Sequence, residues 1–584
     1  MSEGVGSLAA RRGSGRLATA ASRLSSAFAA RASGGVWFAI VALLAFLVLW
    51  PIGWVAVTSL QDAAGDFTFR HYIRAATAPR FQAAAINSLI LASSVGVLSV
   101  LISAPMAWAI ARTDMPLRGL VRVLVFGSLV TPGFLTAMAW ILLAGPNAGA
   151  LNQFYRFMTG SEAGLFNIFS MEGMIFVTLL ECYPFAFILI SGALTLISPD
   201  MEDAANILGA NTWQTMRKIV LPLALPAVLA GFILAFTEAL VLFSAPAMIG
   251  IPAQTYVLTT QIWALFHYPP QIGVAAALAL PLLVVTVILL GLQRRLIGRR
   301  SFVSVTGKAG AARLVQLGWA KWPMLGFCLA VVVASLGASY VMLFAYATTK
   351  VWGEPLGPSN FTLEHFEFVL FGLDSARRAL ANSFLLATLA ATGAVLLGSL
   401  AAFAVERKVV RGGAAISTLA MAPMVIPGIV FAVGLFAGYT KQPFVLYGTI
   451  WILLLAYLTK FLPLAYMNAI TAIKSVGTEL EDAGRIFGAS SLTTFRKITV
   501  PLVRHGLLAG WLLVFVYSVR ELSSSILLFT NDTVVVAVAI LDLYETGAWS
   551  ALSALGCILL LVNLAVIAIG YAVAGRNIFG ASRD

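Results

Sequence analysis

Residues 202–223, EDAANILGANTWQTMRKIVLPL, are written again at 481–502 as EDAGRIFGASSLTTFRKITVPL, with twelve of 22 positions identical. This is a charged segment in a chain that has few charges. Of its 584 residues, 60% are hydrophobic and only 10% are charged, and the mean hydropathy is +0.94, far from the balance of a soluble domain. A hydrocarbon core roughly 30 Å thick needs about 20 apolar residues of helix, with every backbone polar group paired inside the segment. Twelve windows qualify: 36–60, 81–111, 123–155, 173–199, 219–266, 268–293, 322–349, 379–405, 412–440, 442–473, 506–530 and 546–575. Window 219–266 is too long for one span and reads as a helix to about 248 followed by an uncharged loop. An apolar soluble core is excluded. The expected fold is an all-α polytopic membrane protein with about 12 transmembrane helices.

The loops set an orientation. With the amino terminus in the cytoplasm, segments 1–35, 112–122, 200–218, 294–321, 406–411, 474–504 and 576–584 hold 27 of the 37 Lys and Arg, and the opposite set holds 8. Basic residues collect on the cytoplasmic side of membrane proteins. The net charge of +13 therefore reports topology and calls for no nucleic acid, and both copies of the repeated segment face the cytoplasm. The start of the chain, ARRGSGRLATAASRLSSAFAARASGG, has no apolar core or cleavage site of a secretory signal. It reads as a basic tail on anionic membrane lipid, with a transit peptide as the alternative. Cys182, Cys328 and Cys557 fall in apolar windows at no metal-ligand spacing and read as small core residues. His71, His267, His365 and His505 are scattered and form no metal motif.

The repetition reaches beyond the quoted segment. NSLILA at 87–92 recurs as NSFLLA at 382–387, and Pro184 and Gly231 recur as Pro463 and Gly510. The chain divides into a basic tail 1–35, a six-helix domain 36–293, a basic linker 294–321 and a second six-helix domain 322–584. Between the Asn-Ser motif and the repeated segment the first half, 87 to 202, is longer than the second, 382 to 481, and the excess is assigned to the outside loop 145–167. Both halves put the repeated loop on one side, which makes them parallel repeats about an axis along the membrane normal.

Each repeated segment encodes a short helix, a turn and a second helix. Ser198 and Pro199 suit an N-cap and first helical position, and Thr478 with Glu481 has capping-box spacing. Gly209 and Gly488 break the first helix. Asn211 or Thr212, and Ser490 or Ser491, can cap the second, which runs through Arg217-Lys218-Ile219 and Arg496-Lys497-Ile498 to Pro222 and Pro501. A rigid protrusion of this kind suits a groove on a partner.

The Glu-Asp-Ala start, the Gly-Ala turn and the Arg-Lys-Ile-x-x-Pro ending resemble the EAA loop of permease subunits of binding-protein-dependent ABC importers. The six-span layout of both halves extends that resemblance over nearly the whole chain from residue 36. It implies that Glu202, Asp203, Ala204, Gly209 and Arg217 in one loop, and Glu481, Asp482, Ala483, Gly488 and Arg496 in the other, couple to the two subunits of an ATP-binding homodimer. Copy two has Gly484 where the family's second Ala stands. The resemblance also implies a periplasmic or lipid-anchored solute-binding protein, a bacterial inner-membrane location, and ATP and Mg on the partner ATPase, with no cofactor in this chain. No nucleotide-binding P-loop is present; FVSVTGKA at 302–309 has Phe302 and Ala309 where Gly and Ser or Thr belong. The chain is thus expected not to be an enzyme by itself. The fused double permease with SAPAMIGIPAQTYVLTTQIW at 244–263 is most similar to the ferric-iron branch, which overlaps in pattern with thiamine, aminoethylphosphonate and polyamine permeases. A secondary transporter driven by an ion gradient would also carry internal repeats and intramembrane charges.

Five charges lie inside the apolar windows: Glu181, Glu238, Lys460, Arg520 and Glu521. Charge at membrane depth is costly unless it faces the interior or a partner. These residues are therefore candidates for a translocation pathway, in the outer half of a central cavity. Glu181 and Lys460 stand at equivalent places at the repeat offset of 279. Three carboxylates against two bases favour a cationic or metal cargo, and no resident metal site is expected. The alternative is that these charges pair as structural salt bridges between helices.

Overall fold

The computed structural model describes residues 37–197, 199–298, 314–351, 358–410 and 412–574. The basic tail 1–35, the cap at Ser198 and most of the linker 294–321 lie outside the described residues.

The first half runs α1 (Trp37–Ser59), α2 (Pro79–Arg112), α3 (Arg118–Val130), α4 (Gly133–Ala144), α5 (Ala150–Thr159), α6 (Met171–Leu196), α7 (Pro199–Ile207), α8 (Met216–Val241), α9 (Leu258–Ala264) and α10 (Ile272–Gly298). The second half repeats the order without a counterpart of α5: α11 (Gly318–Ala347), α12 (Asp374–Glu406), α13 (Gly413–Val425), α14 (Gly428–Tyr439), α15 (Ile450–Lys474), α16 (Glu479–Ile486), α17 (Ser491–Val519), α18 (Val536–Glu545) and α19 (Trp549–Ala574). Among the described residues, ten helices are long and apolar enough to cross a membrane, or up to 12 when each of two bent pairs is taken as one span.

The bent pairs correct the reading of 123–155 and 412–440 as straight spans. α3 meets α4 at 99°, and α13 meets α14 at 106°. The cause is local. Proline forbids the helical hydrogen bond at its own nitrogen and pushes the residue before it into extended backbone. Thr131 and Pro132 are extended, and so is Ile426, where Pro427 follows; each new helix then begins on the glycine, Gly133 or Gly428. A second correction concerns α8, which ends at Val241 rather than near 248; a break, a short helical segment at Pro246–Gly250 and a turn then lead to the short α9.

The repeat offset locates the difference between the halves. Gly133 at the start of α4 matches Gly428 at the start of α14, and Ala144 matches Tyr439 at their ends. From α6 onward the offset is smaller, with Met171 matching Ile450. The excess of the first half therefore lies between Ala144 and Met171, where α5 sits.

The halves embrace one another. α1 of the first half packs on α14 of the second, where a Cβ at Gly434 would collide with the Pro51 carbonyl oxygen and one at Gly438 would stand 2.8 Å from Trp54. α11 packs in turn on α4, and α10 packs on α14. Without a water-driven hydrophobic effect between helices in lipid, small residues that let backbones approach supply the contact. Within the second half, Gly398 plays this part against Ala465 and Tyr466. Leu89, Ile90, Val97 and Leu101 of α2 remain exposed on the protein surface, as a lipid-facing stripe requires.

Because the neighbour of Gly434 is backbone and cannot swing aside, Gly434→Ala should destabilise the fold by about 1–3 kcal/mol. The readout is a lower melting temperature in detergent, with Gly192→Ala, which meets nothing within 4 Å, melting as wild type.

Candidate functional site: a charged cavity and two repeated loops

All five intramembrane charges line one cavity of ≈ 280 Å³ between the halves, together with Gly133, Pro427, Gly428 and Tyr517. The two helix breaks form part of its wall. Non-helical backbone is tolerated at membrane depth where it lines a cavity or is buried in protein, and here the freed carbonyls find donors from the opposite half. Arg520 Nη1 donates to the Leu129 carbonyl and, at 3.1 Å, to that of Thr131. Thr286 Oγ1 donates to the Val425 carbonyl at 3.0 Å. Arg520 also lies over the Tyr517 ring, 4.4 Å from its centre.

The charges are divided by half. Glu181 and Glu238 come from the first, with Ser244 Oγ donating to Glu181 Oε2 at 3.1 Å. Lys460, Arg520 and Glu521 come from the second, and Lys460 Nζ pairs with Glu521 Oε1 at 2.7 Å. Glu521 is further held by the Ser524 backbone N–H at 2.8 Å. A structural salt bridge therefore does exist, but it joins Lys460 to Glu521 within one half. At their equivalent positions Glu181 and Lys460 each lie against the glycine of their own half's break: a Cβ at Gly133 would overlap the Glu181 carboxylate, and one at Gly428 would be 2.5 Å from Lys460 Nζ. Glycine leaves room for these head groups where they stand, and a larger residue would make them shift. Among the described residues, no three His, Cys, Asp or Glu side chains gather as a metal-holding group.

A second cavity of ≈ 480 Å³, lined by His267, Asp542 and Glu545 among others, opens beside α18. Burial and then the neighbouring Asp542 push the Glu545 carboxyl above the usual carboxylate range, while His267 pulls it back.

The repeated loops fold as two short helices about a glycine. Gly209 and Gly488 have φ of +83° and +86°, the left-handed region that favours glycine. Asn211 and Ser490 cap the helices that follow, accepting from the Gln214 and Thr493 backbone N–H groups. Glu481, by contrast, does not serve a capping box and does not face solvent. It is 1% exposed, bound by Arg407 at 2.7 and 3.1 Å and by Thr499 at 2.8 Å. Glu202 likewise pairs with Arg112 at 3.3 Å. The physical reason is that an acid in a short surface helix can turn inward when an arginine at a neighbouring helix end meets it in a charge-assisted bond. Ala204, Arg217, Asp482, Ala483 and Arg496 are exposed; the side chain of Asp203 lies outside what is described. The surface that projects is apolar: Ile207 and Leu208 are 85% and 86% exposed, and Ile486 and Phe487 are 84% and 91% exposed. Reading the loops by their charges passed over these four residues, although their apolar character just before each glycine was in plain view.

A chain with two copies of one helical plan, a cavity between them and a repeated loop in each is a duplicated multi-pass membrane permease. The family described as "Binding-protein-dependent transport system inner membrane component" matches residues 99–302 and again 394–578, and this chain belongs to it. It is the permease component of an ABC importer. The Ferric transport system permease protein FbpB of Actinobacillus pleuropneumoniae is 28% identical over 544 residues, 91% of this chain and 77% of that protein. The Putative ferric transport system permease protein FbpB 1 of Haemophilus influenzae is 28% identical over 504 residues, 85% of this chain and 77% of its own. The Spermidine/putrescine transport system permease protein PotC of Escherichia coli strain K12 is 29% identical over 228 residues, 38% of this chain and 84% of its own.

Gly133→Ala and Gly428→Ala should each displace a charged head group from its place in the cavity wall. Transport in reconstituted vesicles should then fall by more than about tenfold, the change that about 1.4 kcal/mol in a barrier brings, while the amount of protein in the membrane stays near normal.

Proposed function

We propose that this chain carries ferric iron across the bacterial inner membrane into the cytoplasm. It would receive the cargo from an extracytoplasmic binding protein and be driven by a homodimeric ATPase, with ATP and Mg held on that partner. The observation that carries the cargo is the acidic first-half wall of the central cavity, Glu181 and Glu238, in a chain whose long-range relatives are named as ferric permeases. Fe³⁺ is a hard ion and suits carboxylate oxygen. Lys460 is already engaged by Glu521 and Arg520 by two carbonyls, so the carboxylates of the first half are the groups left to face a cation. The acidic second cavity at Asp542 and Glu545 extends the same preference. A second reading, a polyamine, is favoured by the similarity to the spermidine/putrescine permease and shares the positive charge. In vesicles loaded with the binding protein, the ATPase and this chain, ⁵⁵Fe³⁺ uptake should require ATP, and excess spermidine should not compete. Uptake of spermidine without uptake of iron would transfer the assignment to the second reading.

The driving partner is argued from the coupling loops. Two apolar pairs, each raised on a capped helix-turn-helix, suit two identical grooves, one on each subunit of a dimer. Burial of a Leu or Phe side chain contributes about 1.5–3 kcal/mol. Leu208→Ser combined with Phe487→Ser should therefore weaken ATPase binding by about 3–6 kcal/mol on the same scale and abolish co-elution, with membrane insertion unchanged. A wild-type chain that purifies from its native membrane without an ATPase and still transports on an ion gradient would favour the secondary-transporter alternative.

A further inference from the structure

The Asn-Ser motif, repeated as NSLILA and NSFLLA, has no part in the cavity or the coupling loops. In both halves it lies in the first part of a long helix, toward the end opposite an arginine that holds the coupling loop. Asn87 and Arg112 on α2 are spaced as Asn382 and Arg407 are on and just past α12, a length of about 37 Å at about 1.5 Å per residue. At one end, Arg407 binds Glu481 of the coupling helix and also donates to the Ile473 and Val476 carbonyls. Arg112 binds Glu202 and donates to the Ile197 carbonyl at 2.6 Å. At the other end, Asn87 Nδ2 donates to the Tyr256 carbonyl at 2.9 Å, and Ser88 Oγ accepts from the Leu258 backbone N–H at 2.7 Å. Asn382 Nδ2 donates to the Asp532 and Val534 carbonyls at 3.0 and 2.9 Å, and Ser383 Oγ accepts from the Val536 N–H at 2.8 Å. The segments so held enter α9 and α18. In the first half the connection runs on to the cavity wall: Thr259 Oγ1 donates to the Leu242 carbonyl at 2.9 Å, and Ser244, just beyond it in the chain, binds Glu181.

We propose that α2 and α12 are connecting rods, with Arg112 and Arg407 gripping the coupling helices at one end and Asn87-Ser88 and Asn382-Ser383 gripping the segments before α9 and α18 at the other. A displacement of α7 or α16 is thereby passed to the far face. The bonds suit this use. Arg407 meets Glu481 in a charge-assisted, bidentate contact, stronger and more directional than a neutral hydrogen bond, and Arg112 meets Glu202 as an ion pair. Each asparagine-serine pair fixes its segment through both a carbonyl and an N–H, so the segment cannot slide along the helix. Every one of these residues positions other groups and touches no cargo. The proposal rests on the reading that an ATPase docks on the two loops.

The test uses the reconstituted complex of this chain, its ATPase and its binding protein, and reads the ratio of binding-protein-stimulated to basal ATP hydrolysis. In the variant with Asn87→Ala, Ser88→Ala, Asn382→Ala and Ser383→Ala, the ATPase should still co-elute and the ratio should fall about tenfold, within the range of coupling between linked sites. A merely structural motif would lower yield and melting temperature and leave the ratio as in wild type, which would overturn the proposal. If the fourfold variant does not accumulate, Ser383→Ala and the hydroxyl-retaining Ser383→Thr decide the matter. A low ratio in the first with recovery in the second supports the rods, and equal ratios overturn them. Absence of ATPase from wild-type preparations would instead remove the docking reading, an outcome visible before any variant is made.

Discussion

A backbone carbonyl that loses its helical partner inside a bilayer has no water to turn to, and leaving it bare costs several kcal/mol. The chain incurs that demand twice, at Pro132 and at Pro427. It meets the demand with donors reaching over from the other half, Arg520 to the carbonyls of Leu129 and Thr131 and Thr286 to that of Val425. Much of the architecture follows from this constraint. The halves must stay pressed together at the breaks, so α1 and α11 cross over to brace the helix that follows the break in the opposite half. The bends in turn carve the space between them, and the glycines that restart each helix leave room for Glu181 and Lys460 at its edge.

The two halves agree where they meet something common to both and differ where they meet each other. Arg112 and Arg407, the Asn-Ser motifs, the loop glycines and the apolar tips recur in register, and each arginine meets the glutamate of its own half's repeated loop. Around the cavity the correspondence lapses. Glu181 matches Lys460, Val241 matches Arg520, and Leu242 matches Glu521. A symmetric frame therefore encloses an asymmetric interior, with two acids from one side and two bases and one acid from the other.

Much of this was legible in the sequence. Spans, duplication, the helix-turn-helix of each loop and the convergence of the five buried charges all follow from hydropathy, spacing and the cost of charge in lipid. The contacts among those charges did not follow. A repeat offset says which residues are equivalent about an axis, whereas Lys460 chooses its partner by reach and finds Glu521 one helix away. The bends at Pro132 and Pro427 escaped because a window of mean hydropathy carries no direction. Even so, V-x-P-G recurs at 130–133 and 425–428, in the same register that relates Asn87 to Asn382 and Arg112 to Arg407. The spacing of Thr478 and Glu481 suggests a capping box, which is a local pattern, whereas the bonds Glu481 makes are not local. Its arginine lies 74 residues away in sequence, beyond any local pattern.

The fusion of both halves into one polypeptide has a consequence for how such a permease can change. In a permease assembled from two copies of a single subunit, every substitution appears on both walls at once, and a new lysine in the passage would confront its own twin. Here each wall is encoded separately. A heritable change such as the one that separates Lys460 from Glu181 alters one side only and can be tolerated, then matched by Glu521, without disturbing the loops that both sides must keep alike. The lining of the cavity is free to drift while the repeated loops stay fixed.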